Sequence, residues 1–453
     1  MSDPGTHGPS TRSRRRFLQG SSAALAAASI ASLARPVHAA GDDTLKVALI
    51  GCGNRGAGAA LNALQTSAPV KLWAMADAFR DRLDKSLNAL RSTSETVTAR
   101  VDVPAERQFI GLNAYKQAID ACDVVILTGP PGFRPTHFAY AVEQGKHVFM
   151  EKPVATDAPG IRSVLATAEA AKKQGLKVGV GLQRHHEDAY LQTIGRLHDG
   201  AIGDIRSLRC YWNGATIKVP VTHEGLTEME YQVRNWYFFH WLSGDHNVEQ
   251  HVHNLDVCNW LMKAHPISAM GMGGRQMRTG KDHGDIFDHH AVEYTYANGV
   301  KMFSFCRQIP GCEPLVGEFA VGTKGEVDVS KGIITSDGSE AWRYPRPRVT
   351  QRKGQKKETG LPNPYQVEHD DLFKAIRDNT PYNEVEAGAV ATMTAILGRM
   401  ATYTGRTVTW DEGFNSTKTL MPSEISGWDT MPLTLPDAEG RYKLPAPGLV
   451  RDV

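Results

Sequence analysis

The chain has 453 residues, 41% of them hydrophobic and 22% charged, with a formal charge of +2. That is the composition of a globular protein with ample material for two packed domains. The near-neutral charge excludes the electrostatic footprint of a nucleic-acid or anionic-membrane binder, and no solenoid or propeller period is present.

The N-terminus stands apart from the rest of the chain. Ser13-Arg14-Arg15-Arg16-Phe17-Leu18 leads into an alanine-rich run, Ser21 to Ala34, and then small residues up to Ala39. A charged head, an apolar middle too short to span a bilayer and a small-residue end make an export signal of twin-arginine type over residues 1–39. The expectation is a periplasmic or otherwise exported protein with no stable membrane anchor. That segment holds five arginines against one aspartate, so its removal leaves a charge of about −2. The basic run Arg352-Lys353-Gly354-Gln355-Lys356-Lys357 reads as a solvated loop.

From Thr44 short apolar runs alternate with amphipathic stretches. Lys46–Ile50, Val70–Ala76, Asp123–Thr128, His147–Met150 and Lys177–Val180 read as buried parallel strands. Helices are expected near Gly56–Leu64, Arg80–Leu90, Tyr115–Ile119, Pro135–Gln144 and Gly160–Lys173, with Ser92–Gln108 as a polar loop. This alternation means an α/β, doubly wound parallel sheet over residues 44–182.

Beyond residue 183 the period changes. Arg206–Trp212, Ile267–Gly271, Ala291–Tyr296, Val300–Cys306 and Glu318–Gly322 look like antiparallel strands, with a turn at Ala297-Asn298-Gly299. Helices are expected at Asn247–Met262, Gln366–Asp378 and Glu386–Thr404. These make a second α/β domain over residues 183–410. The aperiodic tail, 411–453, is expected to pack along a neighbour or across its own domain.

Gly51-Cys52-Gly53-Asn54-Arg55-Gly56 follows the first strand and opens a helix, the context in which GxGxxG cradles a dinucleotide. The helix N-terminus supplies amide donors to the phosphates. Asp77 ends the second strand, where a carboxylate accepts ribose hydroxyls and repels a 2′-phosphate, favouring NAD; Arg80 or Arg82 would still admit NADP. Thr128 and Pro130 end a further strand and should border the cofactor, with Pro131 shaping the wall or merely the loop.

With Pro130-Pro131, Gly145-Lys146-His147-Val148 and then Glu151-Lys152-Pro153, and Val252-His253-Asn254-Leu255-Asp256, these motifs resemble the Gfo/Idh/MocA oxidoreductases. The resemblance runs from Leu45 to about Trp410. It implies an N-terminal Rossmann domain plus a C-terminal α/β domain with an open, mostly antiparallel sheet. It also implies NAD(P)-dependent oxidation or reduction of sugars and cyclic polyols, assembly as dimers or tetramers, and Glu151 and Lys152 at the cofactor.

Alcohol oxidation needs a base for the hydroxyl proton and benefits from a cation near the developing alkoxide. Lys152 supplies the cation. Glu249, His253 and Asp256 fall at i, i+4 and i+7 of one expected helix and would share a face. His253 is the candidate base, because an imidazole titrates near working pH. Glu249 stands where the family usually has aspartate and would orient His253 or receive a substrate hydroxyl. Asp256 and His251 read as structural.

Gln183 and Arg184 follow the last parallel strand and should reach the interdomain cleft. Trp236 and Tyr237 belong to an aromatic cluster suited to the apolar faces of pyranose rings. His283, Asp285, Asp288, His289 and His290 have metal-ligand side chains. However, Asp288-His289-His290 begins a strand whose side chains alternate, so no metal is expected. Six cysteines lack CxxC spacing; Cys306 and Cys312 could pair in an oxidising compartment, but free thiols are the expected state.

Two other functions fit the same residues. One is an NAD-dependent glycoside hydrolase or lyase working by transient oxidation and elimination. The other is a non-catalytic carbohydrate-binding protein that kept the fold. The Thr-His-Gly-Leu-Gly-Pro segment of the exported glycosidases is missing, which favours the dehydrogenase.

Overall fold

A computed structural model describes Met1 and residues 44–215, 218, 221–346 and 361–451. The expected export signal and the basic run 352–357 lie outside the described residues. Among the described residues no helix is long and apolar enough to cross a membrane.

The first sheet has six parallel strands in the order β3-β2-β1-β4-β5-β6. They are β1 (Leu45–Ile50), β2 (Val70–Asp77), β3 (Gln108–Ile110), β4 (Val124–Leu127), β5 (His147–Met150) and β6 (Val178–Val180). Helices α1 (Asn54–Gln65), α2 (Arg80–Arg91), α3 (Ala114–Asp120), α4 (Arg134–Glu143) and α5 (Ala158–Lys173) form the crossovers. Strands β1 and β4 are almost wholly buried, as their continuous apolar sequences require when both faces are covered. The chain order reverses between β1 and β4, so the crevice at their carboxyl ends is the switch point where ligands bind such sheets. The stretch expected to be a polar loop holds a short helix, Glu95–Thr98, and ends in edge strand β3.

The second sheet has nine strands, β14-β13-β12-β11-β7-β10-β9-β8-β15, and only β7 and β10 run parallel. Its long members are β7 (Ile205–Gly214), β8 (Ser268–Gly274), β9 (His289–Thr295), β10 (Lys301–Gln308) and β11 (Leu315–Gly322). Short strands β12 (Glu326–Asp328), β13 (Ile333–Ser336) and β14 (Ser339–Arg343) extend one edge, and β15 (Val408–Thr409) closes the other. The Asn298-Gly299 turn forms as expected, with Gly299 at φ +82°. Helices α6 (Asp188–His198), α7 (Glu228–Arg234), α8 (His246–Glu249), α9 (Val252–Met262), α10 (Pro364–Arg377) and α11 (Val385–Thr404) complete the chain. Helix α11 is buried along nearly its whole length, between the second sheet and the cofactor side. Both sheets and their helices belong to one compact unit, Leu45–Val453.

The cofactor layer is not closed at residue 182. Leu372 and Phe373 of α10 join the core cluster of β1, β2, α1 and α2. Asn62 of α1 donates to Gln366 at 3.0 Å, and the 382–384 segment bonds to Val178 of β6 on both sides. The tail crosses its own chain, one of the two expected alternatives. Leu420 and Tyr442 are buried in a cluster with Phe79, Met229, Phe239 and Trp241.

Candidate functional site

A cavity of about 380 Å³ lies at the carboxyl ends of β1, β2 and β4. Gly51, Gly53, Asn54, Arg55 and Gly56 form its floor, with Asp77, Thr128 and Pro130 beside them. Gly56 is forced by close approach: a Cβ there would lie 2.0 Å from the Gly51 carbonyl oxygen. Gly53 is different. A Cβ at Gly53 would meet nothing within 4 Å, and its φ of −73° suits any residue. The protein's own packing does not demand glycine there, but a pyrophosphate at the amino end of α1 does. The residues therefore fit a dinucleotide. Gly53→Val is expected to leave the melting temperature unchanged. It should weaken nucleotide binding by roughly 10- to 100-fold, the ~1–3 kcal/mol of overpacking, read by fluorescence titration.

Asp77 accepts from the Cys52 amide at 2.6 Å and the Phe79 amide at 2.9 Å, which pins the carboxylate between the glycine loop and the end of β2. Burial raises its pKa, partly offset by those amides. Arg82 also borders the cavity, whereas Arg80 turns to Gln108 and Asp84.

Arg55 and Glu151, both expected at the cofactor, hold each other in an ion pair, and Arg55 also reaches Glu368 of α10 at 2.8 Å. Burial opposes the Arg55 charge, but Glu151 and Glu368 outweigh it and raise its pKa. Glu151, Lys152, Glu249 and His253 are not among the residues lining the cavity, and Glu151 reaches the cofactor loop through Arg55.

Lys152 emerges one strand along, where Met150 of β5 pairs with Leu127 of β4. Its ammonium donates to the Glu249 carbonyl at 2.6 Å and lies 3.5 Å from the Glu249 carboxylate. That carbonyl is available because the expected single helix Asn247–Met262 is broken. Helix α8 stops at Glu249 and α9 starts at Val252, so the i, i+4, i+7 spacing no longer defines one face. The Glu249 side chain binds Lys152 and accepts from Gln250 at 2.5 Å; among the described residues no hydrogen bond joins it to His253.

His253 is held well below its ordinary pKa, first by burial and then by the charges of Lys152, Arg184 and Arg55. Those causes favour its neutral form, so it can accept a proton but is a weaker base than the ordinary imidazole the sequence suggests. Its ring stacks beside Trp212 at 6.1 Å, an aromatic neighbour that alternation within β7 did not single out. Asp256 pairs with His185 at 2.8 Å, and His251 sits against Ser304 at 2.7 Å.

Trp236 and Tyr237 border the cavity. The Tyr237 hydroxyl accepts from Gln308 at 2.6 Å. Gln183 keeps a buried side-chain oxygen without a hydrogen-bond partner among the described residues. Arg184, expected to reach a substrate, is buried. Its guanidinium is buried against Glu318 at 2.5 Å, and Glu318 also accepts from Asn254 and Tyr190. The guanidinium is thus anchored on Glu318 in the second domain.

Asp245, His246 and His290 lie within 4.8 Å of one another, and of the histidines and aspartates that the sequence suggested for a metal only His290 is among them. The Asp245 carboxylate already accepts from the His246 ring at 2.8 Å, the Phe287 amide at 3.0 Å and the Tyr403 hydroxyl at 2.6 Å. So many donors make it a buried structural hub. Cys306 and Cys312 are both free, Cys306 buried and Cys312 exposed.

Residues 45–182 match the model of the Gfo/Idh/MocA oxidoreductase family, described as an NAD-binding Rossmann fold. An inositol 2-dehydrogenase of Acidiphilium cryptum is 25% identical over 57% of this chain and 66% of its own length. One from Ralstonia nicotianae is 29% identical over 49% of this chain and 60% of its own. The match thus spans less than two thirds of these relatives. Among solved structures, scyllo-inositol dehydrogenase of Lactobacillus casei with NAD(H) and scyllo-inositol has a similar fold. Its TM-score is 0.59 at 19% identity, over 81% of this chain and 99% of that one. Residues 45–182 are therefore similar to the NAD-binding Rossmann domain of the Gfo/Idh/MocA oxidoreductase family.

Proposed function

We propose that the whole chain is an oxidoreductase that moves a hydride between a CH–OH carbon of a sugar or cyclic polyol and a tightly bound nicotinamide, NAD rather than NADP. The observation that carries this reading is the register of the first sheet: Met150 pairs with Leu127, so Lys152, anchored on the Glu249 carbonyl, follows the strand beside the one whose end carries the cavity residues Thr128 and Pro130. A bound nicotinamide supplies the hydride acceptor.

The chain's own residues supply the rest. Lys152 places a cation where an alkoxide develops, and neutral His253 takes the hydroxyl proton. The Glu249 carboxylate fixes the Lys152 ammonium and offers an acceptor to a neighbouring hydroxyl. Trp212 and Trp236 offer flat faces to a ring, and the unpartnered Gln183 oxygen offers it an acceptor. Inositol dehydrogenase relatives support a cyclitol or sugar substrate.

The twin-arginine-type N-terminus supports export of the folded protein. A compartment poor in free nucleotide then requires the cofactor to travel bound and a second substrate to reset it. The outer face of the second sheet supports assembly with a second copy: Tyr211 and Phe305 stack at 5.4 Å there, and Met272 is 75% exposed.

The test is to load the protein with NAD and present cyclitols, aldoses, uronates and glycosides in turn. A change in nicotinamide absorbance with a cyclitol or sugar, and a matching carbonyl product, is expected. Release of an aglycone with no net change would transfer the assignment to the glycosidase reading. No response to any compound would leave the binding-protein reading.

A further inference from the structure

The cofactor cavity has a wall that the Rossmann layer does not provide. Val221 and the segment Val233–Phe238 close it from the second domain. That segment is latched to the loop after β2: Arg234 lies 3.8 Å over the Phe79 ring and pairs with Asp81 at 3.2 Å. Phe79 itself borders the cavity, two residues after Asp77.

The C-terminal tail grips this latch from outside. Trp428 stacks on Phe79 with ring centroids 5.2 Å apart, and its carbonyl accepts from Thr227 at 3.0 Å. Gln232 of α7 donates to the Thr434 carbonyl at 2.7 Å. Tyr442 donates to Glu228 at 2.5 Å and packs its ring edge-on against Phe239 at 4.8 Å. The tail is in turn fixed to the first domain, where the Leu420 amide donates to Asp157 at 2.7 Å. An aperiodic segment held by the aromatic contacts of Trp428 and Tyr442 and several single hydrogen bonds is a strap. It spans the same two bodies that the cavity separates.

We infer that the tail from Leu420 to Tyr442 belongs to the dinucleotide site. It holds the 221–238 segment down as a roof, so that bound nucleotide leaves only when the Phe79–Trp428 contact opens. This rests on the reading of the cavity as the dinucleotide site. The chemistry is mechanical: no residue of the strap need touch the ligand. Phe79 contacts both Arg234 and Trp428, so loss of either partner loosens the loop that follows Asp77.

The experiment uses the full chain loaded with NADH and diluted into excess NAD, following loss of bound-NADH fluorescence. Trp428→Ala is expected to raise the dissociation rate about tenfold, the scale of one lost aromatic stack. Tyr442→Phe, which removes only the hydroxyl to Glu228, should raise it a few-fold and carries the test if Trp428→Ala does not fold. Unchanged release from the folded variants overturns the strap while leaving the site reading intact. Failure of the unaltered protein to bind NADH overturns the site reading and the strap with it.

Discussion

Lys152→Met lowers kcat by about a thousandfold while the protein still binds nucleotide. The substitution keeps the length of the side chain and removes its charge. Lys152 is only 11% exposed at its side chain and donates to the Glu249 carbonyl, so no solvent cation can replace it. Positioned acid–base and electrostatic groups are each worth about 10²–10⁴ in rate. KM should move much less than kcat, because the missing contact is made to charge that develops in the transition state. A Lys152→Met enzyme with unaltered turnover would remove Lys152 from the chemistry, and melting curves guard against a folding defect.

His137→Phe makes the protein less sensitive to acid. His137 is packed between Tyr115, 4.1 Å away, and Phe133, 5.9 Å away, and burial together with Arg134 lowers its pKa to about 3. The unfolded chain binds a proton at about pH 6.5 and the folded one does not. Stability from this group is therefore present above pH 6.5 and lost as pH falls toward 3. Phenylalanine keeps the stack and abolishes the titration. Between pH 8 and pH 5 the variant should gain about 2 kcal/mol relative to the unaltered chain, seen as converging or crossing denaturation midpoints. Parallel pH profiles would show that His137 is protonated in the folded state. The comparison cancels groups that pull the other way, such as His185 and His186, whose pKa values their carboxylate neighbours raise against the effect of burial.

The sequence reveals most where local period and packing agree. The buried strands of the first sheet are continuous apolar runs, and the structure places β1, β2, β4, β5 and β6 within a residue or two of them. Strand β3 was hidden because three residues at an edge carry no period. Strands β12 to β14 escaped for the same reason, being short and partly exposed. The break between α8 and α9 has no proline or glycine to announce it; the competing partner for the freed carbonyl is Lys152, 97 residues earlier. Likewise, the commitment of Arg184 depends on Glu318, 134 residues away, and that of Arg55 on Glu368, 313 residues away. Sequence spacing identified the chemical types at the site, and long-range partners decided which of them remain available.

The capping of the first sheet by α10 governs how the chain must be made. The apolar seam that receives Leu372 and Phe373 is complete as soon as β6 is synthesised, yet its cover is encoded near the end of the message. Until Arg377 has left the ribosome, a nascent chain presents that seam bare. Translation arrested after β6 should accordingly yield a chaperone client rather than an autonomous nucleotide binder. If the chain crosses a membrane already folded, as we propose, inspection for export can succeed only once translation has finished.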